Sequence, residues 1–140
     1  MYTKINEKDS AMKLGAIYSK EKTTFTLFSP VADSVFVIFY DKGNNSAEKG
    51  RLEMMRGEGE LRSIFSATAE GNLDGVYYTY EVHTSDGTFS SHDPYARACG
   101  VNGHRSMVID LSKTDPDGFA DEDRPKLADP MSMVITEVSV

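Results

Sequence analysis

The chain has 140 residues, the size of one domain with a short appendage, and its 39% of apolar residues suffice for a core. Its formal net charge of −7 at pH 7 excludes nucleic acids and anionic membrane surfaces as partners, because both attract basic proteins. The single cysteine, Cys99, excludes an internal disulfide, and no stretch reaches the roughly 18 apolar residues of a membrane span.

Alternation of apolar and polar residues predicts eight strands before residue 112. In chain order they are Leu14–Tyr18, Thr23–Phe28, Ser34–Tyr40, Arg51–Met55, Arg62–Ala69, Val76–His83, Thr88–Ser91 and Ser106–Leu111. Turn-forming residues separate them at short intervals, among them Pro30, Asp74-Gly75, Asp86-Gly87 and Asn102-Gly103. Many short strands at this spacing are typical of an antiparallel β-sandwich, so the sequence predicts an all-β fold.

Two of these strands allow their faces to be assigned. Ser34–Tyr40 is apolar on both faces, which predicts a central strand covered on both sides. In Val76–His83 the alternation predicts that Tyr78 and Tyr80 enter the core, while Tyr77, Glu81 and His83 share the face nearer to solvent.

The chain changes character near residue 112. We expect a sandwich over residues 10–112, an acidic linker with prolines over 113–132, and a last strand over 133–140. This last strand has no obvious partner in the sandwich, and an exposed strand edge favours pairing. Docking onto the sandwich or a weak dimer through the C-terminal strand is therefore expected.

The residue types that carry chemistry are not arranged for catalysis. Acidic residues are concentrated in turns and the linker, and the histidines (His83, His92 and His104) lack the spacing of a metal site. The sequence predicts no catalytic residue, no metal ligand and no cofactor. Residues Met1–Ser10 lack the apolar core of a signal peptide, so a cytoplasmic location is expected.

Sugar binding is the remaining chemical function. Exposed aromatic rings stack on sugars, and Tyr77, Glu81, His83 and Phe89 are the candidates on the more polar face. Burying one Phe contributes about 1.5–3 kcal/mol, whereas a millimolar complex requires about 4 kcal/mol. Because the chain has no Trp, any sugar binding is expected to be weak.

Six strings along the chain carry a resemblance to a known family. They are Leu14–Ser19, Phe25–Pro30, Gly75–Val82, Asp93–Leu111, Asp123–Leu127 and Ile135–Val140. In this order and spacing they resemble the N-terminal region of type I pullulanases. These belong to glycoside hydrolase family 13, the α-amylase superfamily, and cut α-1,6 links in pullulan, starch and glycogen.

The resemblance implies an immunoglobulin-like (E-set) module of carbohydrate-binding module family 48. Similar glycogen-binding domains carry a Trp after an Asp-Gly turn, where this chain has Phe89. They carry a Lys where this chain has Glu81. By resemblance, Tyr77, Glu81 and Phe89 would contact carbohydrate, and both replacements weaken that contact.

The resemblance also implies contacts with a catalytic domain. Phe28 stands where the family usually has Trp, and Ile135–Val140 resembles the opening strand of the catalytic (β/α)8 barrel, so Phe28, Ile135 and Val138 would pack between domains. We therefore expect a non-catalytic accessory module of a pullulanase-type enzyme that supports the barrel and contacts α-glucan weakly. An autonomous binding module for glycogen or starch and a protein-interaction sandwich are the alternatives.

Overall fold

The computed structural model describes residues 13–123, 126, 128–129, 131 and 133–139. The chain divides after Asp110 into two units, and the first unit carries all nine strands. Every strand pair is antiparallel, and the described residues form no α-helix. The predicted all-β, immunoglobulin-like sandwich is therefore confirmed for the first unit.

The nine strands follow one another along the chain with short connections. They are β1 Gly15–Tyr18, β2 Lys22–Phe28, β3 Ser34–Tyr40, β4 Glu48–Arg56, β5 Ile64–Glu70, β6 Tyr77–Thr84, β7 Gly87–Ser91, β8 Ala98–Cys99 and β9 Ser106–Met107.

Strand β4 joins two sheets into one curled path with the order β1-β2-β5-β4-β3-β6-β9-β8. Its body pairs with β3 up to Met54, and its last residues, Met55 and Arg56, pair with β5. We call β1, β2, β5 and the end of β4 the first sheet, and the remaining strands the second sheet. Strand β7 pairs with β6 on the edge that β9 also occupies.

The core lies between the inward faces of the two sheets. Its apolar members are contributed by almost every long strand: Phe25, Leu27, Ala32, Val35, Val37, Met54, Phe65, Tyr78, Tyr80 and Val108. The ring of Phe25 meets Tyr78 edge-on, with 5.0 Å between centroids, and Tyr78 and Tyr80 lie 5.8 Å apart. The inward placement of both tyrosines and the central position of β3 are confirmed. The expected cover on both sides of β3 is wrong, because only one of its faces packs on the core, and Phe36 and Tyr40 on the other face are partly exposed.

Only Ser34–Tyr40 coincides with its prediction: the other predicted strands differ at one or both ends by one to four residues, and one strand was missed. Strand β5 begins at Ile64 rather than residue 62, because the chain first makes a 3-10 turn at Gly59–Leu61. Strand β9 ends at Met107 rather than residue 111, although Val108 still donates its N–H to the carbonyl of Val76 at 3.0 Å. Strand β8 was hidden in the sequence, because a two-residue strand shows no alternation.

The C-terminal strand predicted over 133–140 differs from the structure. Residues 133–139 carry no strand, and the second unit contains 3-10 turns at Leu111–Lys113 and Phe119–Asp121. A strand is defined by bonds to a neighbouring backbone, and alternation in the sequence does not supply that neighbour. The weak dimer through this segment stays a prediction.

Candidate functional site

The outer face of the second sheet, which points away from the core, carries two of the predicted carbohydrate-binding residues, Tyr77 and Glu81. On this face Glu81 is already engaged. Arg51 donates from Nη1 to Oε1 of Glu81 at 3.3 Å, and Nε2 of His83 lies 2.9 Å from the same oxygen. The other ring nitrogen of His83 lies 3.4 Å from the hydroxyl of Thr88. A sugar hydroxyl would therefore have to compete for Glu81 with two side chains of the protein.

Arg51 is engaged twice. It donates from Nε and Nη2 to the two carboxylate oxygens of Glu48 at 2.8 and 2.9 Å. These hydrogen bonds lower the pKa of Glu48 and raise that of Arg51. The guanidinium also lies 5.9 Å from the ring centroid of Phe36, whose ring meets His83 edge-on. The charged groups at this end of the face therefore form one connected cluster.

Tyr77 is half-buried, and its ring packs partly against backbone. A Cβ built on Gly43 or on Gly100 would lie 3.0 Å from the Cε1 atom of Tyr77, so both glycine backbones pack against its ring. The neighbouring ring of Tyr40 is covered by Arg105, whose guanidinium lies 3.5 Å from the centroid. Arg105 also donates to the carbonyls of Lys42 and Ser46. Part of the Tyr77 ring is therefore in contact with backbone, and one face of the Tyr40 ring is taken by Arg105.

Phe89 is exposed but lies on the other side of β6 and β7. In the antiparallel register Phe89 is opposite Val82, whereas Glu81 is opposite Ser90. Directly opposed residues share a face and successive residues alternate, so Phe89 lies on the face of Val82 and not on that of Glu81 and Tyr77. The shared surface predicted for the three residues is therefore corrected, since a one-residue offset in register moves a side chain to the opposite face.

An open cavity of about 390 Å³ lies beside the outer face of β6. Its lining is rich in hydrogen-bonding groups and consists of Thr79, Ser90, Ser91, His92, Asn102, Gly103 and His104. A second cavity of about 370 Å³ shares His92, Asn102 and Gly103 with it. Sequence reasoning identified the Asn-Gly turn but interpreted it only as a connection. Asn102 has φ 53° and Gly103 has φ 69°, so the turn curls back and forms a wall of both cavities.

A buried carboxylate anchors the wall of these cavities. Asp93 is 2% exposed, and its Oδ2 accepts hydrogen bonds from the hydroxyls of Tyr78 at 2.7 Å and Tyr80 at 3.2 Å. Its Oδ1 accepts from the N–H of Tyr95, and its own N–H donates to Oγ of Ser106, both at 2.8 Å. Burial, and then the nearby Asp93 charge, raise the pKa of both tyrosines.

The outer face of the first sheet carries an exposed apolar group of a different kind. Phe28 is opposite Ile64 in the register and is 53% exposed, and Met55, opposite Ser66, is 73% exposed. Leu61, in the 3-10 turn before β5, is 39% exposed, and a Cβ built on Gly57 would lie 2.9 Å from its Cβ. We call Phe28, Met55, Leu61 and Ile64 the Phe28 patch.

The other two residues predicted to pack between domains lie in the second unit. Ile135 is 82% exposed and Val138 is 75% exposed. Within the described part of the chain, no three or more His, Cys, Asp or Glu side chains are grouped so as to hold a metal ion. No helix among those residues has the length and apolarity needed to cross a membrane.

Known proteins resemble this chain in both sequence and fold. Pullulanase A of Streptococcus pneumoniae serotype 4 is 31% identical over 116 residues, which cover 78% of this chain and 9% of that protein. The pullulanase of Bacillus subtilis strain 168 is 30% identical over 98 residues, which cover 69% of this chain and 13% of that protein.

Solved structures agree with the sequence relatives. The pullulanase of Paenibacillus barengoltzii, in complex with maltohexaose and α-cyclodextrin, superimposes with a TM-score of 0.77 at 34% identity, over 84% of this chain and 18% of that chain. The pullulanase of Bacillus acidopullulyticus gives 0.75 at 34% identity, over 84% and 14%.

The chain thus spans less than a fifth of the length of each of these relatives. A family model, carbohydrate-binding module 48 (isoamylase N-terminal domain), matches residues 13–96. This match covers more than half of the chain and includes strands β1 to β7. The chain therefore belongs to the carbohydrate-binding module 48 family.

Proposed function

We propose that this chain is a non-catalytic accessory module of a pullulanase-type α-1,6-glucan debranching enzyme. In this role it supports the catalytic (β/α)8 barrel and contacts α-glucan only weakly. The similarity to pullulanases, of which the chain matches 9% to 18%, supports the assignment to a larger enzyme.

One observation favours the accessory role over independent sugar binding. The groups on the outer face of β6 that a sugar would use already have partners within the protein. Glu81 is engaged by Arg51 and His83. The ring of Tyr77 packs against Gly43 and Gly100. A ligand on this face would have to break these contacts before it gained its own.

The magnitude of the remaining interactions sets the expected affinity. The cavity offers hydroxyl, amide and imidazole groups but no aromatic ring larger than histidine. A hydrogen bond contributes about 0.5–1.5 kcal/mol net, and a millimolar complex requires about 4 kcal/mol. Three or four hydrogen bonds therefore reach at most the millimolar range, once the cost of ordering the sugar is included.

Autonomous binding of glycogen or starch is the second candidate function. The cavity beside Thr79 and the exposed ring of Phe89 favour it, because both are accessible to a ligand. The Paenibacillus barengoltzii pullulanase is described in complex with maltohexaose and α-cyclodextrin, which makes maltohexaose a suitable probe.

A titration of the ¹⁵N-labelled chain with maltohexaose, followed by NMR, separates the two functions. We expect shifts at His92 and Asn102 that do not saturate below about 1 mM, for the energetic reason given above. His92→Ala should remove these shifts. Ser85→Ala, in the turn between β6 and β7 and not part of the cavity lining, should leave them in place.

A dissociation constant in the micromolar range at the same residues would overturn the accessory role in favour of autonomous binding. The absence of any shift at about 10 mM sugar would remove the weak glucan contact from the proposal.

A further inference from the structure

We infer that the cavity beside Thr79 binds a phosphate monoester, the anionic group of a phosphorylated sugar. The inference rests on the proposed function, and it names a ligand class for a cavity that a neutral glucan contacts only weakly. Its basis is the chemistry of the free side chains in the lining, together with the charges that surround them.

The lining of the cavity contains no acidic side chain. None of its residues is Asp or Glu, although the chain has 22 of them. A carboxylate accepts hydrogen bonds from sugar hydroxyls but repels an anion, so its absence favours an anionic ligand over a neutral one. The volume of about 390 Å³ falls in the range of roughly 300–1,000 Å³ for small-molecule sites, which leaves room for a sugar ring beside the phosphate.

Four of the lining side chains are free to bind a ligand. Among the residues that the structure describes, no hydrogen-bond partner is found for the side chains of Ser90, His92, Asn102 and His104. All four residues are exposed, and hydroxyl, amide and imidazole groups can each donate to a phosphate oxygen. The hydroxyl of Ser91, in contrast, already donates to the carbonyl of His92 at 3.0 Å.

Arg105 places a positive charge beside the cavity. Its guanidinium lies 3.5 Å from the ring centroid of Tyr40, whose hydroxyl lies 3.3 Å from Oγ1 of Thr79 in the lining. The guanidinium donates to neutral groups, the carbonyls of Lys42 and Ser46 and the hydroxyl of Ser46. In the described part of the chain no carboxylate forms an ion pair with it. A cation fixed near a site raises the local concentration of anions.

Two acidic residues near the cavity have partners of their own. Glu81 is opposite Ser90 in the register and forms an ion pair with Arg51. Asp93 follows His92 in the chain, is buried, and accepts hydrogen bonds from two tyrosine hydroxyls and a backbone N–H. These partners offset the repulsion that either carboxylate would exert on an anion in the cavity.

The two imidazoles make the affinity depend on pH. A histidine ordinarily titrates near about pH 6.5, and its protonated form has a positive charge and two donors. If binding is coupled to the uptake of one proton, the affinity falls by up to about tenfold per pH unit above that value. Cys99 lines the adjoining cavity with His92, but a thiol carries no positive charge and cannot replace either imidazole.

Titrations of the ¹⁵N-labelled full chain, followed by NMR, test the inference. We expect glucose 6-phosphate at about pH 6 to shift the signals of His92, Asn102 and His104. Its dissociation constant should be at least about tenfold below that of maltohexaose, because hydrogen bonds to a charged group are stronger. Sulfate is fully ionised at both pH values, so it should bind at least about threefold more weakly at about pH 8 than at about pH 6, from the titration of the histidines alone.

A phosphorylated maltohexaose identifies the source of the phosphate. Tighter binding of maltohexaose that carries one 6-phosphate than of glucose 6-phosphate would assign the phosphate to a glucan chain, because the neighbouring glucose units then add contacts. Equal affinities of the two phosphorylated probes would assign it to a free sugar phosphate. Either result supports the inference.

Charge-matched variants separate the cavity from the overall charge. His92→Gln and His104→Gln should each weaken the binding of glucose 6-phosphate by about threefold to tenfold, and the double variant should remove the pH dependence of sulfate binding. Arg62→Gln removes a positive charge at an exposed position that lines neither cavity, and should change neither property. Because both histidines are exposed, all variants should melt at the temperature of the unmutated chain.

The outcomes distinguish the inference from the proposed function. The absence of shifts with about 10 mM glucose 6-phosphate and sulfate would overturn the inference and leave the accessory role standing. Shifts that persist unchanged in the double histidine variant would overturn it as well. A dissociation constant for maltohexaose as low as that for glucose 6-phosphate would also contradict the inference, and a micromolar value would contradict the proposed function too.

Discussion

At the scale of single residues, Asp93 has the most unusual environment in the described part of the chain. Its buried carboxylate accepts hydrogen bonds from Tyr78, Tyr80 and the N–H of Tyr95. The sequence did not show this, because Asp93-Pro94 has the composition of an ordinary exposed turn. The inward direction of both tyrosines was predictable from alternation, but the partner of their hydroxyls comes from a distant loop.

Because of the two buried tyrosines, we expect the free energy of unfolding to fall at alkaline pH. Burial raises the pKa of Tyr78 and Tyr80, so the folded state keeps both protons at a pH where the unfolded chain releases them. Their contribution is fully present below about pH 10 and is lost as pH rises above it. We expect the free energy of unfolding to fall there by about 2.7 kcal/mol per pH unit from these two groups.

Urea unfolding between pH 8 and 11 measures this slope. Tyr80→Phe removes one of the two protons and should reduce the slope by about 1.4 kcal/mol per pH unit. Equal slopes for the variant and the unmutated chain would contradict the assignment.

At the scale of elements, the loop between β3 and β4 is fastened to the β8–β9 hairpin. Arg105 donates to the carbonyls of Lys42 and Ser46, and the backbones of Gly43 and Gly100 touch. This contact could not be predicted, because β8 was not recognised and the two glycines are far apart in sequence. The long strands, in contrast, were predictable from alternation, although the register that places Phe89 away from Glu81 was not.

Gly100→Ala tests the importance of this contact. The new Cβ would lie 2.6 Å from Cα and 3.0 Å from the carbonyl oxygen of Gly43. Because these are backbone atoms, they cannot move aside as a flexible side chain would. We expect a loss of about 1–3 kcal/mol in unfolding free energy, the usual cost of overpacking.

Gly50→Ala is the matched control for Gly100→Ala. Gly50 lies in β4 with nothing within 4 Å of its Cβ position, so the change should be neutral or stabilising by up to about 1 kcal/mol. Equal melting temperatures for the two variants would show that the Gly43–Gly100 contact does not contribute to stability.

At the scale of the whole molecule, the sandwich has two unlike outer faces. Paired charges and covered rings occupy the second sheet, and the open Phe28 patch lies on the first. The fold and the family were predictable from ordered strings along the chain. Whether the side chains on each outer face are exposed or paired was not predictable, because this depends on which strands become neighbours. The strand predicted over 133–140 was wrong for a related reason. Alternation is a property of one segment, whereas a sheet requires a second strand to pair with it.

The most direct test of the accessory role compares thermal inactivation of pullulan hydrolysis in three enzymes. These are the Paenibacillus barengoltzii pullulanase, the same enzyme without the segment that this chain matches, and a hybrid in which this chain replaces that segment. We expect the deletion to shorten the half-life by about tenfold or more. The hybrid should regain most of that loss, with KM for pullulan within about twofold of the unmodified enzyme. A hybrid that inactivates as fast as the deletion enzyme, or one that changes KM while its half-life stays short, would contradict the account.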